Sequence, residues 1–262
     1  MKYPDDYINK ILNGDCLDVM KGMPDSCIDL VVTSPPYDNL RDYKGYTFNF
    51  EGIAKELFRV IKKGGVVVWV VGDAVIDGSE SGTSFRQALF FKEVGFNLHD
   101  TMIYQKNSYP FPPSNRYFGV FEYMFILSKG TPKSTNLLRV KTVGHKHKSS
   151  TSRQQDGSIE PMKYEMGKDD RVKENVWIYD VGYGKSTNEK FVYEHPAIFP
   201  EKLARDHILS WSNEKDIVLD PMNGSGTTTK MAKKLGRNYI GIEISPEYCK
   251  IANQRLAQEV LL

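Results

Sequence analysis

Cysteine is scarce: Cys16, Cys27 and Cys249 are the only three in 262 residues, and they lie far apart. That spread argues against a disulfide framework. The five histidines fall into no ligand spacing with them, so no metal site is expected. No apolar run is long enough to span a bilayer. The opening Met1-Lys2-Tyr3-Pro4 lacks the apolar core of a signal peptide, so a cytoplasmic protein without membrane contact is expected. An excess of one charge is missing too, since 35 Lys and Arg against 33 Asp and Glu leave +2. Any surface for a polyanion must therefore be local.

What is present is long enough, at 40% hydrophobic, for one α/β domain with an insertion. Apolar runs around Ile11-Leu12 and at 28–32, 66–71, 98–105 and 123–127 are expected strands. Helices are expected over 16–22, 50–61, 84–94 and 205–211. The second of these is expected to stop at Lys62-Lys63-Gly64-Gly65, a basic last turn followed by glycine, and the third at Gly95. A final helix is expected over 247–256.

Thr33-Ser34-Pro35-Pro36-Tyr37 ends the first long apolar run. Two successive prolines fix φ and remove two backbone donors, so their carbonyls are free to be aimed at a ligand. Ser34 adds a polar contact and Tyr37 a flat stacking face. These are the parts needed to hold a planar base by its exocyclic amino group, although alone they would make only a proline turn after a strand. Far downstream, Ile217-Val218-Leu219-Asp220 closes a short strand on a carboxylate, with Gly224, Gly226 and a helix-forming stretch after it. The next strand, Tyr239-Ile240-Gly241-Ile242-Glu243, again ends in an acid. A strand, a glycine turn and a helix open a Rossmann-like unit, and Glu243 is placed to accept from ribose hydroxyls. No Gly-Lys-Ser/Thr follows the glycines, which disfavours ATP.

The stretch Ser34-Pro35-Pro36-Tyr37 resembles the catalytic motif of DNA amino-methyltransferases, which act on cytosine N4 or adenine N6. Asp220-Pro221-Met222-Asn223-Gly224-Ser225-Gly226-Thr227-Thr228 resembles their S-adenosylmethionine motif, usually Asp-Pro-Phe-x-Gly-Ser-Gly-Thr-Thr, with Met222 where Phe is usual. Because the catalytic motif precedes the cofactor motif, the order matches the beta class of this family across nearly the whole chain. The resemblance implies an α/β fold, a circularly permuted Rossmann-like sheet with helices on both faces and an inserted target-recognition region. Its expected parts are a catalytic half (1–128), the insertion (129–190) and a cofactor half (191–262). It implies Ser34, Pro35, Pro36 and Tyr37 as catalytic residues and S-adenosylmethionine as cofactor. Asp220, Pro221, Asn223, Gly224, Ser225, Gly226, Thr227 and Glu243 would bind that cofactor. So would Asp15 and Cys16 near the adenine, Asp15 being equally readable as a helix N-cap. Phe199, Pro200, Lys202 and Leu203 would pack on the methionine end; without the resemblance that segment reads only as a proline-started helix.

From Ser128 to Gln155 no acidic residue occurs, while Lys and Arg interleave with Ser, Thr and Gly. A basic excess confined to one stretch of a near-neutral chain marks a phosphate-contacting surface, against the plainer alternative of a solvated loop. Arg139, Lys141, Lys146, Lys148 and Arg153 are the candidates. Arg116 is expected at the flipped base or its strand, with an Arg116–Glu122 ion pair as the structural alternative. His145 and His147 are expected at solvent or phosphate, and Trp177 and Tyr183 as packing residues rather than base wedges. Partners implied are double-stranded DNA, a cognate restriction endonuclease and a second copy of the chain.

One more absence sharpens the reaction. Cytosine C5 methylation needs a cysteine nucleophile after a proline, and no Pro-Cys pair occurs. Within the family, adenine enzymes mostly carry Asp at the Ser34 position and cytosine-N4 enzymes mostly Ser. Cytosine N4 is therefore the expected target and adenine N6 the alternative. More distant rivals are an RNA or protein methyltransferase, disfavoured by the permuted order and basic insertion, and an inactive DNA-binding module, disfavoured by the intact motifs.

Overall fold

The structure, a computed structural model, describes residues 1–36, 48–112, 114–141, 151–161, 170–194, 198 and 200–258. Among these described residues, fourteen strands and six helices follow in chain order. These are β1 (Lys10–Asn13), α1 (Cys16–Lys21), β2 (Ile28–Thr33), α2 (Phe50–Val60), β3 (Ile61–Val71), β4 (Val75–Ile76), β5 (Ser79–Glu80) and α3 (Thr83–Val94). Next come β6 (Asn97–Lys106), β7 (Phe121–Ser128), β8 (Arg139–Lys141), β9 (Thr151–Arg153), β10 (Ile159–Pro161), β11 (Asp170–Val172) and β12 (Val176–Tyr179). A 3-10 turn at Lys190–Glu194 leads to α4 (Glu201–Trp211), β13 (Ile217–Asp220), α5 (Thr227–Lys234), β14 (Asn238–Glu243) and α6 (Pro246–Ala257).

Eight strands form one sheet in the order β1-β14-β13-β2-β3-β7-β6-β12. The first five run parallel, β7 is antiparallel to β3 and β6, and β12 lies parallel to β6 at the edge. Both faces are covered, which is why β2, β3 and β13 are apolar without alternation. Val31, Val67, Trp69, Phe125, Leu127 and Leu219 pack with α1, α2 and α3. On the other face, Met124 Sδ lies 3.1 Å from His207 Nε2 of α4. Burying each such aliphatic chain contributes about 1.5–3 kcal/mol.

One helix end differs from expectation. Lys62-Lys63-Gly64-Gly65 does not terminate α2, because Ile61 is already extended and paired with Ile28. The register then jumps to Leu30 opposite Val66, so these four residues form a bulge inside β3. Gly64 takes φ +83 there, Lys62 Nζ reaches Asp29 at 2.7 Å, and a Cβ on Gly65 would lie 2.9 Å from the Asp29 carbonyl. The bulge gives the quartet a long-range reason that no local pattern displays. Gly95, in contrast, closes α3 with φ +119 as expected.

The chain divides into two units, one of Met1–Asn136 with Asn175–Leu262 and one of Leu137–Glu174. The smaller unit holds two antiparallel strand pairs, β8 with β11 and β9 with β10. The expected insertion of 129–190 thus contributes to both units, and its β12 joins the main sheet. Trp177 in β12 is buried with its ring 4.8 Å from that of His207, a packing role. Tyr183 departs from the packing expected of it: it is 68% exposed and touches only the Tyr193 ring among the described aromatics. Among the described residues no helix is long and apolar enough to cross a membrane.

Candidate active site

β2 and β13 are neighbours, so two motifs far apart in sequence meet at one end of the sheet. Leu30 pairs with Val218 and Val31 with Leu219, which brings the strand ends level. There Thr33 Oγ1 donates a 2.8 Å hydrogen bond to Asp220 Oδ1, with both residues buried. The carboxyl ends of parallel strands are where α/β folds bind ligands. Ser34, Pro35 and Pro36 come directly after β2, with Pro35 buried and its neighbours half-buried. Tyr37 lies outside the described residues.

Asp220 Oδ1 also accepts the Met222 N–H at 3.2 Å. Burial nevertheless pushes its carboxyl up to about 6, against the pull of these donors. The glycine turn follows, with Gly224 at φ +49 and Gly226 at φ +83. A Cβ on Gly226 would stand 2.9 Å from the Ala252 Cβ, so both backbone and packing demand glycine there. The turn then enters α5, whose first N–H groups are available to a ligand.

Glu243 ends the adjacent strand β14. Its carboxylate accepts the Gly224 N–H and the Ser245 N–H, each at 2.8 Å, while burial raises its pKa. Asn223 Oδ1 accepts from Thr229 Oγ1 at 3.0 Å, and its buried Nδ2 has no partner among the described residues. Asp15 is the N-cap of α1, accepting from the Leu17 and Asp18 N–H groups at 2.8 and 3.2 Å. Cys16 beside it is buried, and the Gly14 N–H ties this strand end to the Glu243 carbonyl at 3.0 Å. Two acids at neighbouring strand ends, an orphaned amide donor and a glycine turn opening a helix fit a small cationic ligand bearing hydroxyls.

Behind the turn lies an ion cluster that no sequence pattern announced. Arg255, fully buried in α6, bonds Glu189 at 2.7 Å and Glu201 at 2.6 Å, and Lys230 bonds both acids at 2.9 Å. Arg255 also donates to the Ser225 carbonyl at 3.2 Å and to Thr227 Oγ1 at 2.9 Å. It therefore braces the turn itself and the start of α4. Pro200 and Leu203 are buried at that start, Lys202 points to solvent, and Phe199 lies outside the described residues. Thr33 was also overlooked, though a polar residue closing an apolar run was a usable signal.

Arg116 donates to the Gly78 carbonyl and stands 3.8 Å from Glu80, while Glu122 pairs with Lys106 at 3.0 Å. The Arg116–Glu122 pair offered as the structural alternative is thus not formed, because Lys106 is Glu122's ladder-side neighbour across β6 and β7. In the smaller unit Arg139 pairs with Asp170 at 2.9 Å, and Lys141 and Arg153 are exposed. Lys146 and Lys148, with His145 and His147, lie outside the described residues.

Comparison with known proteins agrees with this geometry. The family model for N6/N4 DNA methylase matches residues 28–254. The orphan methyltransferase M.BamHII of Bacillus amyloliquefaciens is 59% identical over 91% of this chain and 92% of its own length. The type II methyltransferase M.BglII of Bacillus subtilis is 30% identical over 98% and 71%. Among solved structures, the PvuII DNA methyltransferase, described as cytosine-N4-specific, aligns with TM-score 0.69 at 23% identity, covering 96% of this chain and 87% of that one. An M1.HpyAVI–SAM complex aligns with TM-score 0.63 at 22% identity over 94% and 98%. The two solved structures speak for the fold.

Proposed function

This protein belongs to the N6/N4 DNA methylase family, and from that premise we propose that it moves a methyl group from S-adenosylmethionine to the N4 amino group of a cytosine flipped out of duplex DNA. The observation that carries the proposal is the 2.8 Å Thr33–Asp220 bond, which fastens the end of β2, from which Ser34-Pro35-Pro36 follows, to the cofactor-type strand β13. S-adenosylmethionine supplies an electrophilic methyl on a sulfonium. Asp220, Asn223 and the turn 224–227 would hold it, Glu243 would accept from its ribose, and Asp15 and Cys16 would flank the adenine. Pro200, Lys202, Leu203 and Phe199 would border the methionine end. The buried acids suit a sulfonium and the orphaned Asn223 amide suits an acceptor on the ligand.

The target nitrogen is a poor nucleophile because its lone pair is delocalised into the ring. The Pro35 carbonyl and the Ser34 hydroxyl would accept its two N–H bonds. That arrangement favours a more tetrahedral nitrogen and stabilises the positive charge that develops on it as the methyl–sulfur bond breaks; the nitrogen then gives up one of its protons to solvent, leaving a neutral methylamino group. Holding both reactants at attack distance supplies much of the remaining rate, and no covalent enzyme intermediate is needed. Stacking blocks the approach inside a duplex, so the base must flip, with Tyr37 as its stacking face. Unstacking costs a few kcal/mol, offset by phosphate contacts from Arg139, Lys141, Lys146, Lys148 and Arg153, with Arg116 near the target strand.

Ser34 favours cytosine N4; adenine N6 would use the same two acceptors. The orphan designation of the 59% identical relative supports an enzyme working without a paired endonuclease. The test is Tyr37→Ala assayed by single-turnover methyl transfer and by calorimetry with S-adenosylmethionine. Turnover should fall far more than cofactor affinity, and an equal loss of both removes Tyr37 from the base pocket.

A further inference from the structure

The described residues of the β6–β7 connection, 107–112 and 114–120, project from the sheet end that carries Ser34. The ladder fixes this: Thr33 pairs with Trp69, Trp69 with Phe125, and Gln105 with Phe121. Only two strand spacings, about 10 Å, separate β7 from β2. Two rings of this loop stand almost wholly in water, Phe111 at 91% and Tyr117 at 99% exposed.

The loop is held, not merely extended. The Lys106 N–H bonds the Val120 carbonyl at 2.7 Å across its base, and Asn107 bonds Asp180 and the Val181 N–H. Phe118 packs on Tyr109 at 5.3 Å and on Phe111 at 5.7 Å, while Arg116 fastens the loop to the β4–β5 turn through the Gly78 carbonyl. Tyr109, Phe111 and Phe118 thus form one ring cluster on an anchored loop, and all four aromatics of the loop, Tyr117 included, are exposed, Phe111 and Tyr117 most of all. The stretch itself contains Arg116 and no carboxylate; Glu80 and Glu122 beside it each face a cation, and Asp180 at its base is held by the Asn107 amide.

We propose that this loop enters the DNA at the target step, with Phe111 and Tyr117 stacking on the bases that the flipped nucleotide leaves unstacked. The proposal rests on the base-flipping reading above and gives the flip a protein side. Rings that stack on bases contribute about 1–3 kcal/mol each, and apolar wedges stabilise an opened step. Both rings lie outside the core, so their removal leaves the fold intact.

The experiment uses the full-length enzyme and a duplex oligonucleotide bearing its methylation site, mapped beforehand on unmethylated plasmid DNA. Absence of methylation by the wild type would refute the proposed function and not this inference. The double variant Phe111→Ala/Tyr117→Ala should lose about 10-fold or more of kcat/KM on the paired duplex. With the target base mismatched, and so already weakly held, the loss should shrink to about 3-fold or less. Phe111→Trp and Tyr117→Phe should retain activity, and affinity for S-adenosylmethionine should not move. An equal loss on both duplexes, no loss on either, or a loss that tracks a changed oligomeric state in sedimentation would overturn the wedge role.

Discussion

Replacing Asp220 by Asn isolates what burial does to the carboxylate at the centre of the site. The amide keeps an oxygen for the Thr33 hydroxyl and the Met222 N–H, the donors at 2.8 and 3.2 Å. What it removes is a buried charge, whose pKa burial has pushed from 3.8 to about 6. Between those values the folded protein holds a proton that the unfolded chain has released. The wild type therefore gains stability from this group at low pH and loses it as pH rises through about 6. The full linkage amounts to about 3 kcal/mol, and about half of it returns between pH 8 and pH 5. Urea denaturation followed by tryptophan fluorescence, for both proteins at both pH values, measures the gap. Asp220→Asn should gain relative to the wild type at pH 8, with the gap narrowing by about 1.5 kcal/mol at pH 5. Any constant cost of the new amide cancels in that change. Cofactor affinity should fall meanwhile, since a sulfonium loses its counter-charge. A gap that does not vary with pH would refute the argument that Asp220 carries an uncompensated buried charge.

The same carboxylate predicts that S-adenosylmethionine binding releases a proton near pH 6, because a cation beside Asp220 favours its charged form. Calorimetric enthalpies should then vary with the buffer's ionisation heat at pH 6 and converge at pH 8. Arg255→Met should destabilise the fold by about 3–5 kcal/mol by leaving Glu189 and Glu201 partly unpaired, read as a lowered melting temperature, with Arg255→Lys recovering part. Gly226→Ala must place a Cβ on a positive-φ residue and against Ala252, so it should cost about 1–3 kcal/mol in denaturant melts and weaken cofactor binding.

Much of this site was legible because its signals are local. Apolar runs marked β2, β13 and β14 as strands, and their terminal Thr33, Asp220 and Glu243 stand at one sheet end. The glycines of the turn announced a backbone that other residues resist, as Gly224 and Gly226 show by their positive φ. What was not legible depends on partners distant in sequence. Lys62-Lys63-Gly64-Gly65 looked like a helix stop because nothing nearby reveals that Asp29 receives Lys62. β12 went unread because its four residues, alternately exposed and buried, sit inside a polar segment and gain strand character only from β6. The Arg255 cluster draws single charges from three helices and the loop residue Glu189, each of which reads alone as a solvated side chain.

The most direct test of the account is nucleoside mass spectrometry on unmethylated duplex DNA incubated with the enzyme and S-adenosylmethionine. The account predicts N4-methylcytosine. N6-methyladenine would keep the site and its mechanism and overturn the target base, whereas DNA left without either product across varied sequences would contradict the central claim.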